Sequence, residues 1–172
     1  MNIFNKNTKR SFSIAIYFII LTHAIKIDMF NKVTEYALRG LVYIQNQNFM
    51  GNRPGIDEIS REIEAPRFYT AKILQRLVRQ GFLSSIKGKG GGFFFDTEKP
   101  ELTLRDLIIS TEGHKTISGC GFGLKHCDYE NPCPLHDQYA EIRNAIENLV
   151  STETIQSLAK KYFSKNEPVT TH

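Results

Sequence analysis

The chain has 172 residues, 41% of them apolar, and its 22 Lys and Arg against 18 Asp and Glu give a net charge of +4. The length suits one domain with an extension and is too short for a TIM barrel. The apolar fraction excludes wholesale disorder, because such a chain can bury a core. All three cysteines lie between residues 120 and 133. An odd, clustered set argues against a disulfide framework and favours a metal or redox centre in a reducing compartment, the cytoplasm.

Residues 1–28 differ in composition from the rest of the chain. A polar, basic start precedes an apolar run over 11–21 that Thr22 interrupts. The run is shorter than the roughly 20 apolar residues of a membrane-spanning helix, and no clear signal-peptide cleavage site follows it. Met29 opens a segment typical of a complete soluble protein. We therefore expect translation to start at Met29 and no membrane association. An accessory N-terminal helix and a membrane anchor are the alternatives.

Apolar residues recur at helical spacing in three segments after Met29. The first helix is predicted to end near Gln47, and a loop rich in Gly, Asn and Pro follows it. A short second helix ends before Pro66. The third helix ends at Gly81, where a glycine suits the C-cap. The apolar positions that define these helices are Val33, Tyr36, Ala37, Leu41, Ile44, Ile56, Ile59, Ile63, Tyr69, Ile73, Leu74 and Leu77.

A glycine-rich hairpin follows the third helix. Strands are predicted at 82–86 and 93–95, and the glycine run over 87–92 forms the tip. The run does not end in Gly-Lys-Ser/Thr and no helix follows it, which argues against a phosphate-binding or dinucleotide-binding loop. Three helices and a two-stranded hairpin are the order of a winged helix-turn-helix domain, assigned to residues 29–112. The predicted fold class is mainly α with a small β-hairpin wing.

The charge of the third helix and hairpin indicates DNA binding. Residues 65–95 contain six positive side chains and no acidic one. An acid in this region would repel the phosphates of a duplex, whereas an ordinary solvent-exposed helix face usually mixes both signs. An ordinary basic face is the alternative. The positive residues are Arg67, Lys72, Arg76, Arg79, Lys87 and Lys89.

The part of the chain after the wing is predicted to be helical at both ends. A covering helix spans Leu102 to Ile109, with Thr103 as its N-cap. From Leu135 the apolar steps are 4, 3, 4 and 3 residues, a heptad pattern. Two heptads alone make a weak coiled coil, so we predict that the helix within 135–163 pairs with its copy in a homodimer. Packing on its own domain is the alternative. The seam residues are Leu135, Tyr139, Ile142, Ile146 and Leu149. One or two further amphipathic turns and a polar tail over 164–172 follow.

The cysteine-rich segment, residues 113–134, is predicted to bind a metal centre. Cys120, Cys127 and Cys133 are flanked by glycines and prolines, and His136 follows three positions after the last. Three thiolates and a fourth ligand can hold an iron–sulfur cluster or a zinc ion. The gaps between the cysteines are wider than in common zinc sites, so we favour a cluster over zinc. Bare redox thiols stay open as an alternative.

These features together resemble the Rrf-two family of bacterial winged helix-turn-helix transcription regulators. The resemblance covers residues 29 to about 162. It rests on Thr34-Glu35-Tyr36-Ala37-Leu38-Arg39 in the first helix, on the wing sequence over 81–93 and on the three-cysteine loop. It implies a homodimeric regulator, not an enzyme, that binds a double-stranded DNA operator. It also implies a 2Fe-2S or 4Fe-4S cluster whose response to nitric oxide, redox state or iron–sulfur supply changes operator affinity, often as a repressor. A cluster-free regulator controlled by thiol oxidation or a protein partner is the alternative.

The resemblance also implies roles for individual residues. In the family the third helix enters the major groove and the wing reaches the minor groove. With the basic residues of the third helix added, the predicted DNA-binding set is Arg67, Phe68, Tyr69, Lys72, Arg76, Lys87, Gly88 and Lys89. Ala71 stands where part of the family has Glu, so that part's operator preference does not transfer.

The fourth ligand to the centre differs between branches of the family. One branch uses a histidine at the place of His136. Another uses an acid in the first helix of the partner subunit, and Glu35 occupies that place. We expect Glu35 to be the fourth ligand, with His136 next. His114 and His126 are weaker candidates, because each is expected to be a solvent-facing loop residue.

Overall fold

The structure is a computed structural model, and it describes residues 30–164. The predictions for residues 1–28 and for the tail beyond Ser164 lie outside the described residues. In chain order the elements are α1 (Lys32–Phe49), α2 (Ile56–Glu62), α3 (Arg67–Arg79), β1 (Ser84–Ile86), β2 (Gly92–Phe94), α4 (Leu104–Glu112), α5 (Lys115–Ser118), α6 (His136–Thr152) and α7 (Ile155–Ser164). The predicted mainly α fold with a hairpin wing is confirmed.

Helix α1 is the central element of the domain. Asn31 caps it, because its side-chain oxygen accepts a hydrogen bond from the backbone N–H of Thr34 at 3.0 Å. Ala37, Leu41 and Ile44 are fully buried on its inner side. Helices α2, α3, α4 and α7 all pack against it. The core of the DNA-binding unit is therefore built around one long helix.

Helices α2 and α3 form the helix-turn-helix unit. Ile59 of α2 and Leu74 and Leu77 of α3 bury their side chains in the core that α1 organises. Helix α3 ends two residues before Gly81, which has a φ of +80°. Glycine adopts this left-handed conformation without a steric cost, so the predicted helix stop is confirmed to within two residues.

The wing is an antiparallel hairpin in which Ser84 lies opposite Phe94. Its return strand is anchored to the loop before α2, because the N–H of Phe93 donates to the carbonyl of Pro54 at 3.0 Å. Gly92 has a φ of +155°, and a Cβ at this position would lie 2.1 Å from the carbonyl oxygen of Arg53. Only glycine permits this close approach of the two backbones.

The segment over 135–163 contains two helices. Glu153 and Thr154 separate the two helices, and Thr154 forms a β-bridge with Thr103. The N–H of Ile155 then donates to the carbonyl of Leu102 at 2.8 Å. Because this bridge turns the chain, α7 packs back on α1. The sequence had indicated one or two amphipathic turns here, whereas α7 has ten residues.

A second, smaller core joins the C-terminal elements. Ile108 of α4, Ile117 of α5 and Val150 of α6 are buried together. Helix α5 was not predicted, because its four residues are too few to show a period. The cap on α4 was predicted: the side chain of Thr103 accepts from the N–H of Asp106 at 3.0 Å. Within residues 30–164, no helix is both long enough and apolar enough to cross a bilayer.

Candidate DNA interface and metal centre

One side of helix α3 is buried in the core and the other side is exposed to solvent. Lys72 and Phe68 lie one turn apart on the exposed side, where the Lys72 ammonium nitrogen is 4.6 Å from the centre of the Phe68 ring. This cation–π contact holds Lys72 at the surface. Tyr69 packs edge-on against Tyr36 of α1, with 5.8 Å between ring centres. The buried side consists of Thr70, Ile73, Leu74 and Leu77.

Two of the predicted DNA-binding arginines interact within the chain. The Nε of Arg67 donates to the carboxylate of Asp57 in α2. This hydrogen bond is the main cause that holds the pKa of Asp57 below its usual value. The guanidinium of Arg76 donates to the backbone carbonyl of Ser110 in α4. Arg67 therefore forms an ion pair with a neighbouring acid, whereas the partner of Arg76 is a neutral carbonyl that connects α3 to α4.

The wing tip is exposed over residues 87–90. Lys87, Gly88 and Lys89 are all exposed, as a surface that reaches a nucleic acid requires. Arg53 lies beside the hairpin, with its guanidinium carbon 4.7 Å from the centre of the Phe94 ring. Arg53 was not identified from the sequence, because the contact joins residues far apart in the chain. It adds a positive charge next to the wing.

A further residue of α3 was missed in the sequence analysis. Gln75 is exposed and follows Phe68 by seven residues, so both lie on the same side of the helix. Gln75 is neutral, so the pattern of positive charges that marks other exposed residues of α3 does not mark it. Its spacing from Phe68 and Lys72 is the sequence feature that places it on the exposed side of α3.

The structure brings the three thiols together. The Sγ atoms of Cys120, Cys127 and Cys133 all lie within 4.8 Å of one another. Those of Cys120 and Cys133 are 3.6 Å apart. Local turns produce this convergence: the N–H of Gly123 donates to the carbonyl of Cys120, and the N–H of His136 donates to that of Cys133, both at 2.9 Å. The predicted cysteine cluster is thus a compact donor set.

His136 lies next to the thiols. It is the first residue of α6 and follows Cys133 by three positions. Its Nδ1 is 3.2 Å from the Sγ of Cys127, and the residue is only 7% exposed. The edge of the Tyr129 ring packs against it, with 5.1 Å between ring centres. Its Nε2 is buried and has no hydrogen-bond partner among residues 30–164. A buried imidazole nitrogen without a partner is unusual and is readily satisfied by a metal ion or water.

The other nitrogen and oxygen candidates lie elsewhere within one chain. Glu35 is in the first turn of α1, where its carboxylate pairs with Lys32 and lies 3.7 Å from Arg39. Among the described residues, the set of ligand atoms that lie within 4.8 Å of one another consists of the three sulfurs and includes neither Glu35 nor His136. His114 and His126 are exposed, as expected.

Backbone N–H groups of the loop shift the pKa values of two of the thiols. The pKa of Cys120 is lowered to about 7, first by the backbone N–H of Leu124 and then by that of Phe122 and the neighbouring thiols. The backbone N–H of Cys133 acts to lower the pKa of Cys127, but desolvation and the two other thiols outweigh it and raise that pKa. The lowered pKa of Cys120 favours its thiolate, which is the form of cysteine that binds metals.

The donor set fits a metal centre. Sulfurs bound at about 2.3 Å around one tetrahedral ion are about 3.8 Å apart. The observed 3.6 Å between Cys120 and Cys133 is close to that value, and the third sulfur lies within 4.8 Å. Soft thiolates select zinc and iron–sulfur centres over hard ions such as magnesium. The spacing of Cys120, Cys127 and Cys133 is therefore that of thiolates bound to one soft metal ion.

Comparison with known proteins identifies the family. Residues 30–161 match the Rrf2 family, described as iron-dependent transcriptional regulators. The chain belongs to the Rrf2 (Rrf-two) family. The predicted resemblance is thereby confirmed, and the chain is a helix-turn-helix transcriptional regulator and not an enzyme. Regulators of this family bind DNA.

Individual Rrf2 proteins agree with this assignment. The HTH-type transcriptional regulator NsrR of Bacillus subtilis is 23% identical over 128 residues, which cover 74% of this chain and 87% of NsrR. IscR of T. potens has the same fold, with a TM-score of 0.63 and 16% identity over 84% of this chain and 95% of IscR. CymR, the global cysteine regulator of B. subtilis, has a TM-score of 0.62 and 20% identity over 76% of this chain and 95% of CymR.

Proposed function

We propose that this Rrf2 protein is a sequence-specific transcriptional regulator whose operator affinity depends on an iron–sulfur cluster bound by Cys120, Cys127 and Cys133. The observation that supports a bound metal centre is the convergence of the three thiols within 4.8 Å in a glycine-rich loop, and the family relatives are the reason to favour a cluster over a single ion. The similarity to NsrR and IscR is consistent with it. A bound cluster supplies a centre that nitric oxide, oxidants or iron shortage can alter. The residues of this chain supply the thiolates and the contacts that link them to the DNA-binding helices.

The DNA-binding surface in this proposal consists of α3 and the wing. The stacked Phe68 and Lys72 face the major groove, and the exposed tip over 87–89 reaches toward the minor groove. Lys72 has the length and charge to reach guanine acceptors or phosphates. With about 6–10 phosphate contacts per dimer, affinity falls about three to five decades between low and moderate salt. A flat salt response contradicts this assignment.

A homodimer is part of the same proposal. Leu135, Ile142 and Leu149 of the predicted seam are 48%, 56% and 56% exposed in the single chain. They recur every seven residues and form one exposed row, whereas Tyr139 and Ile146 of the predicted seam are half-buried and Ile146 packs on the smaller core of its own chain. A second copy can pack on the exposed row. A dimer also presents two α3 helices to two operator half-sites.

We propose His136 as the fourth ligand within one chain. The distance of 3.2 Å between its Nδ1 and the Sγ of Cys127 supports this choice. It differs from the expectation drawn from the sequence, which placed Glu35 first. Glu35 from the partner subunit is the rival, and its pairs with Lys32 and Arg39 would have to rearrange.

The test compares operator affinity before and after loss of the cluster. Protein purified without oxygen is titrated onto an operator obtained by in vitro selection, and the titration is repeated after treatment with nitric oxide or a chelator. We expect a change in affinity of at least tenfold. A Cys120→Ser, Cys127→Ser, Cys133→Ser triple variant is expected to behave as the treated protein. Equal affinities for all three samples contradict the proposal.

Thiol oxidation is a second candidate, and one distance favours it. Cys120 and Cys133 are 3.6 Å apart, and a disulfide needs about 2.05 Å. Forming the bond removes two protons and two electrons, which a peroxide accepts as it is reduced to water. Mass spectrometry of protein treated with hydrogen peroxide after chelation tests this candidate. A Cys120–Cys133 disulfide together with a changed operator affinity supports it, and unbridged thiols contradict it.

A further inference from the structure

The exposed face of α3 carries a neutral amide among its cations. Phe68, Lys72, Gln75 and Arg79 follow one another at steps of four, three and four residues, so they form one stripe along the helix. All four are exposed. We propose that Gln75 reads an A·T base pair in the major groove. This inference rests on the proposed DNA-binding function and adds a specificity-determining residue to it.

The chemistry of the carboxamide matches adenine. Gln75 offers one acceptor oxygen and an NH2 donor, whereas adenine presents an N7 acceptor and an N6 donor in the major groove. Guanine presents two acceptors there, which suit the neighbouring Lys72 and Arg79 better. Phosphate oxygens attract cations, and a neutral amide gains no such charge attraction. Among the side chains of the stripe, Gln75 is therefore matched to a base edge and not to the backbone.

The surroundings of Gln75 leave its amide available. Its side chain makes no hydrogen bond to another residue within 30–164, so an intramolecular partner does not compete with a base. Ala71 lies one turn earlier and contributes only a methyl group, which allows close approach. Lys72 and Arg79 lie on either side of Gln75 along the stripe. Their positive charge attracts the duplex to this part of α3, where Gln75 lies between them.

The position along the helix predicts which base pair is read. Gln75 is seven residues beyond Phe68, about 10 Å along the helix axis. Base pairs are about 3.4 Å apart. The A·T pair is therefore expected at most about three base pairs from the step next to Phe68, once in each half-site of a dimer operator.

The test is in vitro selection from a random duplex library with full-length protein, followed by affinity measurements on single-base variants of the selected site. Gln75→Ala is expected to lose the preference for A at one position in each half-site, with a fall in affinity of about 5- to 150-fold for the selected site. Gln75→Arg is expected to change the preferred base at that position from A to G. Gln80→Ala removes a glutamine just beyond the last residue of α3, off the stripe, and is expected to leave every base preference unchanged.

The outcomes distinguish a failure of sequence-specific DNA binding from a failure of the role assigned to Gln75. If the wild-type protein enriches no common site, sequence-specific DNA binding fails and the role of Gln75 fails with it. If the wild type enriches a site and both Gln75 variants enrich it with the same base preferences, only the assignment of Gln75 is wrong. Circular dichroism spectra and gel-filtration volumes matching the wild type confirm that the variants are folded.

Discussion

The guanidinium of Arg76 in α3 donates a hydrogen bond to the backbone carbonyl of Ser110 in the last turn of α4. Two residues later, Glu112 accepts from the Oγ1 of Thr34 at 2.5 Å. Gly113, with a φ of +91°, then ends α4 and begins the cysteine-rich segment. The end of α4 thus lies between the thiols on one side and both α3 and α1 on the other. We propose that a movement of the cysteine-rich segment reaches α3 through this turn.

Arg76→Ala is expected to reduce the ratio of operator affinities between cluster-loaded and cluster-free protein, because it removes the contact between α3 and α4. Fluorescence anisotropy with a labelled operator measures both affinities. Arg79→Ala is the control: it removes a cation from the same helix and is expected to lower both affinities by a similar factor. If Arg76→Ala keeps the wild-type ratio, the contact with Ser110 does not carry the signal.

His136→Ala is expected to lower the occupancy or alter the absorption spectrum of the metal centre, because it removes the imidazole next to Cys127. His114→Ala removes an exposed histidine and serves as the matched control, with an unchanged spectrum. Iron analysis and absorption spectroscopy of anaerobic protein provide the readout. A normal spectrum for His136→Ala with a changed one for Glu35→Ala would assign the fourth ligand to Glu35 instead.

Gly92→Ala is expected to displace the wing, because the new Cβ would lie 2.1 Å from the carbonyl oxygen of Arg53. The strained backbone is expected to lower the free energy of unfolding by about 1–3 kcal/mol. Denaturant unfolding measures this loss, and operator affinity should fall with it. Gly55→Ala is the control, because φ there is −83° and the space around it is open. Equal effects of the two substitutions would contradict the anchoring of the wing.

Ile142→Glu is expected to convert the proposed homodimer to a monomer, because it places a charge in the middle of the exposed row of α6. Analytical ultracentrifugation over a range of concentrations gives the mass directly. Asn144→Glu adds the same charge to the same helix, away from the seam, and should leave the dimer intact. A wild-type mass for Ile142→Glu places the dimer contact elsewhere.

Much of the fold was predictable because its signals are local. The spacing of Ala37, Leu41 and Ile44 defines α1, and Gly81 marks the end of α3. Thr103 caps α4 as its sequence indicates. The convergence of the cysteines was also predictable in outline, because glycines and prolines allow a short segment to fold back on itself.

The contacts that link the elements were not predictable from the sequence. Arg67 and Arg76 each looked like phosphate-binding cations, but they contact Asp57 and Ser110, which are 10 and 34 residues away. The β-bridge between Thr103 and Thr154, which directs α7 onto α1, is a further contact that the sequence does not predict. Such pairings depend on how elements pack, and the local pattern around each residue contains no record of its distant partner.

The most direct measurement of the central claim is the iron and acid-labile sulfide content per monomer of protein purified without oxygen. The account predicts a coloured protein that contains both, and a colourless triple Cys→Ser variant at positions 120, 127 and 133 that contains neither. Zinc in place of iron, or a metal-free wild-type protein with full operator affinity that is insensitive to nitric oxide and chelators, would contradict the account.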